Sequence, residues 1–147
     1  MQYTTIQLPS FEVAGITLRT NNVSAMQQAT IPAFWEKFLK EDIYKTIPNN
    51  AEPNAIYGLY TDYASDHSGD YTLLLGAKVN NAERLTNGLV RREIPTANYA
   101  VFSTDSPQKV FELWQTIWAL PLQRTYSSDF EVYKKEVESI SIYIAIQ

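Results

Sequence analysis

Two hydrophobic spacings alternate along this chain, and they alternate twice. Val13, Gly15 and Thr17 fall on one face and Ala14, Ile16 and Leu18 on the other, the period of two that a strand imposes. Residues 3–20 therefore read as an opening strand or pair of strands. Gly15 marks a bulge or a close backbone approach, and Asn21-Asn22 ends the run. From Ser24 to Glu41 the spacing becomes helical. Ile31, Phe34, Trp35, Phe38 and Leu39 form an apolar stripe, with Glu36, Lys37 and Lys40 opposite. Ser24 suits the N-cap and Pro32 predicts a kink. A connector with the turn residues Pro48-Asn49-Asn50 follows. Strands at 55–63 and 70–79 then form a β-hairpin around the polar turn 64–69.

The second pass begins after the polar stretch 80–88, which ends on the turn signal Asn87-Gly88. Strands at 89–94 and 98–103 flank Pro95-Thr96-Ala97. Ser106-Pro107 opens a second helix, with Ser at the N-cap. Its apolar face is Val110, Phe111, Leu113, Trp114, Ile117 and Trp118, and Pro121 stops it. A loop at 123–128, a strand at 130–133, a polar turn at 134–139 and the β run ISIYIAI at 140–146 complete the chain. Each pass reads strand, helix, strand, turn, strand, and FWEKF at 34–38 answers LWQTI at 113–117. The expected fold is α+β: a duplicated β-α-β-β, with repeats at about 1–80 and 88–147 in one domain. It has a largely antiparallel sheet, two main helices and a cleft where the halves meet.

Composition narrows the function classes. The 147 residues are 45% hydrophobic, enough for a sizeable core. Aromatics reach 13%, and 10 of them are Tyr, which suits binding surfaces as well as cores. The net charge of -4 and the scattered Lys and Arg give no basic stripe, so direct nucleic-acid binding is not expected. With no cysteine, disulfides and thiol chemistry are excluded. No apolar stretch approaches the roughly 18 residues of a membrane span, and no signal-peptide pattern opens the chain. The expectation is a cytoplasmic protein that does not engage membranes.

The candidate chemistry centres on Asp129-Phe130-Glu131-Val132-Tyr133. On a strand, Glu131 and Tyr133 share one face and Phe130 and Val132 the other. Facing an aromatic concavity, a carboxylate beside a tyrosine suits a lipophilic cationic or aromatic small molecule. Facing water it is an ordinary strand carboxylate, and Arg124 offers an internal ion pair. Trp35 and Trp114 hold equivalent places in the two passes and are candidate walls, whereas Trp118 and Phe111 read as core. Tyr57 and Tyr99 are further cleft candidates. Asp62, Asp66 and Asp70 surround His67, but their spacing matches no calcium loop, and the group reads as a solvated turn. No metal or cofactor is expected, and GxSxG and phosphate-binding glycine loops do not occur.

The order and spacing of several segments carry a resemblance. They are the Trp35 helix, IYGLYTDY at 56–63, YTLLLG at 71–76, IPTANYAVF at 94–102, the Trp114 helix, DFEVY at 129–133 and IYIAIQ at 142–147. Together the chain resembles the GyrI-like small-molecule-binding domain, the effector-binding domain of AraC-type and other bacterial transcription activators. The resemblance covers essentially the whole chain. It implies a cleft for lipophilic, often cationic molecules, with Glu131 as its anionic floor, Tyr133 and Tyr143 lining it, and Trp35 as a wall. It places the chain beside stand-alone members that lack a fused DNA reader. It also implies two alternatives: a hydrolase of cyclopropane-type electrophiles using Glu131, and a modulator acting through a protein partner such as gyrase or a separate regulator.

Overall fold

The computed structural model describes residues 3–24, 29–86, 88–135 and 139–147. The strands are β1 (Thr4–Leu8), β2 (Phe11–Thr20), β3 (Ala55–Thr61), β4 (Tyr71–Val79), β5 (Val90–Ile94), β6 (Ala97–Thr104), β7 (Ser128–Lys134) and β8 (Ser139–Ile146). Among the described residues, the long α-helices are α1 (Thr30–Lys40) and α2 (Val110–Ala119), with helical backbone also at 22–24 and short 3-10 turns at Ile43–Thr46 and Pro107–Lys109. The α+β, antiparallel expectation holds. All eight strands form one antiparallel sheet in the order β1-β6-β8-β7-β3-β4-β2-β5.

That order forces the sheet to roll. β1 and β2 lie six strand spacings apart, about 29 Å on a flat sheet. Yet only Pro9-Ser10 joins them, a link that reaches about 11 Å at most. Pro95-Thr96 imposes the same closure on β5 and β6, and the two links touch through a Ser10 N–H bond to Thr96 Oγ1 of 3.1 Å. The face turned inward holds one cluster to which every strand contributes, from Leu8, Phe11 and Val13 to Tyr57, Leu74, Val90, Tyr99, Phe130 and Tyr143. The helices pack outside. Phe34 and Phe38 of α1 cover Leu73, Leu75 and Ile56, while Leu113, Trp114 and Ile117 of α2 cover Ala100, Ile142 and Ile144.

Strand register relates the two passes by a pseudo-two-fold axis. Leu8-Pro9-Ser10 corresponds to Ile94-Pro95-Thr96, so Gly15 corresponds to Val101. Gly15 pairs with Gly76 and Val101 with Tyr143; Gly76 pairs with Tyr57 and Tyr143 with Phe130. Following these pairs, Tyr57 corresponds to Phe130, Gly58 to Glu131 and Tyr60 to Tyr133. Gly58 and Glu131 are also direct cross-strand partners, so the axis passes between them. The buried pairs Phe34/Phe38 and Leu113/Ile117 likewise match Trp35 to Trp114.

Several local expectations change. α1 starts at Thr30, after Ala29 in the left-handed region (φ 53°), so Pro32 sits in its first turn, where its missing N–H is tolerated, and does not kink a longer helix. Asn21 Oδ1 accepts from Ser24 N–H (2.8 Å), the capping role expected of Ser24 itself; the stretch 25–28 of the expected helix lies outside the described residues. Leu39 is exposed and off the packed stripe. Ser106 makes no cap bond; its hydroxyl donates to Gln108 Oε1 (2.8 Å) and a 3-10 turn precedes α2. The backbones at Gly15 and Gly76 approach so closely that a Cβ on either would collide with the facing carbonyl, the close approach expected at Gly15. Asn87 and residues 136–138, within two expected turns, also lie outside the described residues.

Candidate ligand-binding cleft

β3 and β7 form the floor of a cleft between α1 and α2. Register sends Ile56, Gly58 and Tyr60 of β3 to the same face as Tyr133, Glu131 and Asp129 of β7. Glu131 is only 2% exposed. Its room comes from Gly58: a Cβ there would lie 3.1 Å from Glu131 Oε1. Three neutral donors reach the carboxylate. Trp114 Nε1–H donates to Oε2 at 2.6 Å, Tyr133 O–H to Oε1 at 2.9 Å and Tyr60 O–H to Oε2 at 3.4 Å. The two tyrosines are pseudo-symmetry equivalents, one from each half. Each packs edge-on against a tryptophan, Trp35 on Tyr133 (centroids 4.9 Å) and Trp114 on Tyr60 (5.1 Å).

The cavity over this floor measures about 560 Å³, within the range of small-molecule sites. Ile31, Pro32 and Trp35 form one wall, and Val110, Phe111, Trp114 and Trp118 the other. Tyr63, Tyr71 and His67 extend it beneath the β3–β4 connection, where His67 stacks on Trp118 (6.1 Å, 16°). Arg19, Asn21 and Asn22 tie that connection down. Arg19 bonds the Asp62 carbonyl, Asn21 bonds Asp70, and Asn22 bonds the His67 carbonyl while accepting from Tyr71.

Burial pushes the Glu131 carboxyl above the ordinary range, and the bonds from Trp114, Tyr133 and Tyr60 pull it partly back. Burial, with the charge of Glu131 second, pushes Tyr71 up to about 12 and lifts Tyr60 and Tyr133 well above their usual value, so these phenols remain donors. The expected rival for Glu131 is occupied elsewhere. Arg124 Nη2 lies 2.8 Å from Asp129 Oδ2, and both side chains are buried. Asp129 also accepts from Tyr63 O–H (2.5 Å) and Ala145 N–H (2.8 Å). Among the described residues, no cationic side chain pairs with Glu131.

The cleft brings together Glu131, Tyr133, Trp35 and Trp114. It does not include Tyr57, Tyr99 or Tyr143, a correction that strand parity explains. Tyr57 and Tyr143 are cross-strand neighbours of Val132 and Phe130, the opposite face of β7 from Glu131, and Tyr99 joins them inside the roll. Tyr143 stacks on Phe130 at 4.5 Å and 9°. Trp118 and Phe111, expected in the core, line the cleft instead, and Phe111 is 46% exposed. His67, expected in a solvated turn, reaches the cleft, while the acids around it are held internally: Asp62 by Arg92, Asp66 by Ser68 and Asp70 by Asn21. Tyr60, Tyr63 and Tyr71 are cleft residues the sequence left unassigned. The repeat could have found Tyr60, because it corresponds to Tyr133.

Comparison with known proteins agrees with this geometry. Residues 4–146 match the family described as Cass2, integron-associated effector binding protein. YobU of Bacillus subtilis (strain 168), provisionally named a transcriptional regulator, is 28% identical over 145 residues, 91% of each chain. An integron cassette protein from the mobile metagenome of Vibrio cholerae shares the fold with TM-score 0.77 and 31% identity, covering 99% of this chain and 95% of that one. SAV2435, whose structure holds tetraphenylphosphonium, superposes with TM-score 0.80 at 19% identity, covering 100% of this chain and 94% of its own. Among the described residues, no helix is long and apolar enough to cross a membrane. The chain therefore belongs to the Cass2 family of integron-associated effector binding proteins, a GyrI-like group related to transcription regulators.

Proposed function

We propose that this protein binds a lipophilic cation in the cleft between α1 and α2, with Glu131 as its counter-charge. The observation that carries this reading is a carboxylate 2% exposed, on the floor of an aromatic cavity, reached among the described residues by neutral donors alone. Burying a charge without an opposite charge costs several kcal/mol even when it is hydrogen-bonded. A ligand cation supplies the missing partner, and the aromatic faces add roughly 0.5–2 kcal/mol each. Arg124 also lines the cavity but is paired with Asp129, which leaves Glu131 as the carboxylate that can meet a ligand cation. The tetraphenylphosphonium held by SAV2435 supports the same ligand class here. The kinship with YobU supports a role in a transcriptional response to such compounds, in the cytoplasm.

Titration calorimetry with tetraphenylphosphonium and the neutral triphenylphosphine oxide tests this. Glu131→Gln should weaken the cation by tenfold or more and the neutral compound much less; equal losses overturn the electrostatic role. The charge of the cation is independent of pH, so its affinity should fall as pH drops through the raised pKa of Glu131. The raised pKa and the Tyr133 hydroxyl 2.9 Å away also fit a second reading, in which Glu131 activates water against an electrophilic ligand such as a cyclopropane. Recovery of such a compound unchanged after long incubation counts against it.

A further inference from the structure

The charge in this cleft is central rather than terminal. Glu131 lies on the pseudo-two-fold axis, opposite Gly58, and equivalent Tyr–Trp pairs stand on its two sides. A terminal ammonium head can be caged by rings packed directly around it, but here the aromatic groups stand as two separate Trp–Tyr pairs, one on each side of the axis. Here the lining is matched across the axis: Trp35 answers Trp114 and Tyr133 answers Tyr60, all facing one cavity. Building on the cation reading above, we infer that the preferred ligand is a monocation with its charge at the centre and an aromatic arm on each side. One arm lies against Trp35 and Tyr133, the other against Tyr60 and Trp114.

Each arm meets a tryptophan: Trp35 stands beside Ile31 and Pro32 on the α1 wall, and Trp118, stacked by His67, stands beside Trp114 on the α2 wall. The inference thus specifies shape: two aromatic arms about a quaternary centre.

Calorimetry on the full chain with dibenzyldimethylammonium and benzyltrimethylammonium tests this. Both are permanent monocations and differ by one aromatic arm. The two-armed probe should bind roughly tenfold more tightly, the gain expected of one added aromatic contact. Trp35→Leu and Trp118→Leu should each weaken the two-armed probe by roughly fivefold to tenfold. The one-armed probe should respond to only one of them. Trp35→Phe and Trp118→Phe, which keep a ring at each wall, should restore most of the affinity, and they decide the matter if a Leu variant fails to fold. Equal affinity for both probes, with both weakened by Glu131→Gln, overturns the two-armed ligand and leaves the cation site standing. Binding that ignores Glu131→Gln, or no binding of either probe, overturns the cation reading and this inference with it.

Discussion

Trp35 and Trp114 occupy equivalent places in the two halves, and of the two Trp114 is the one that donates to Glu131. The halves share a packing framework, although the close Gly15–Gly76 pair of one is Val101–Tyr143 in the other. Both use a helix with a buried apolar pair, an edge-on Trp–Tyr contact, and a strand ending against a Pro-containing link. They differ where chemistry enters. Gly58 stands opposite Glu131, and apolar Ile56 corresponds to Asp129 with its buried Arg124 partner. The difference teaches that a duplicated scaffold makes a binding site by breaking its own symmetry at the axis. One carboxylate there is accessible to both halves, whereas two would repel at contact distance.

The charged side of the comparison should break first. Arg124→Met strands the buried Asp129 carboxylate and should cost about 3–5 kcal/mol in urea unfolding. Adding Asp129→Ile, which copies Ile56 of the other half, should recover much of that loss. A double variant no more stable than the single would deny that the two positions are interchangeable in kind.

The tryptophans come next. Trp114→Phe removes a 2.6 Å bond to a buried carboxylate and should cost about 1.5–3 kcal/mol, against under about 1 kcal/mol of hydrogen-bond difference for Trp35→Phe. Equal destabilisation would show that packing, not the hydrogen bond, distinguishes them.

A smaller effect follows from protonation. The pKa of Glu131 is raised in the folded chain, so the folded state holds a proton that the unfolded state has released. Stability from this group is complete below the ordinary glutamate pKa and is lost as pH rises through the raised value. Stability of the ligand-free protein should therefore decline as pH rises above the ordinary glutamate pKa, and Glu131→Gln should flatten that slope. A parallel slope in the variant would assign the effect to another group.

Smallest is Gly58→Ala. Its Cβ would press Glu131 Oε1 from 3.1 Å and Leu75 Cδ2 from 3.6 Å, shifting the carboxylate by a few tenths of an ångström. Stability should change by about 1 kcal/mol or less. Cation affinity should fall severalfold, because the charge moves off the axis. Unchanged affinity would show that the site tolerates an off-axis charge.

The alternation of periods near two and 3.6 determined the strands, the two helices and their repetition, because backbone geometry fixes which neighbours share a face. It also placed Glu131 and Tyr133 together, a relation local to one strand. Sequence could not assign Tyr57, Tyr99 and Tyr143. Their faces depend on which strands pair and in what register, and a slip of one residue exchanges cleft for interior. Nor could it tell whether Arg124 meets Asp129 or Glu131, which lie on the same face of β7 two residues apart. That depends on where the loop after α2 delivers the guanidinium, and Tyr63 and Ala145 complete the shell around Asp129. The composition supplied an aromatic-rich chain with one suggestive carboxylate. Only the rolled sheet, by bringing Gly58 across from Glu131, decided that this carboxylate is buried, unpaired with any cationic side chain among the described residues, and shared by both halves.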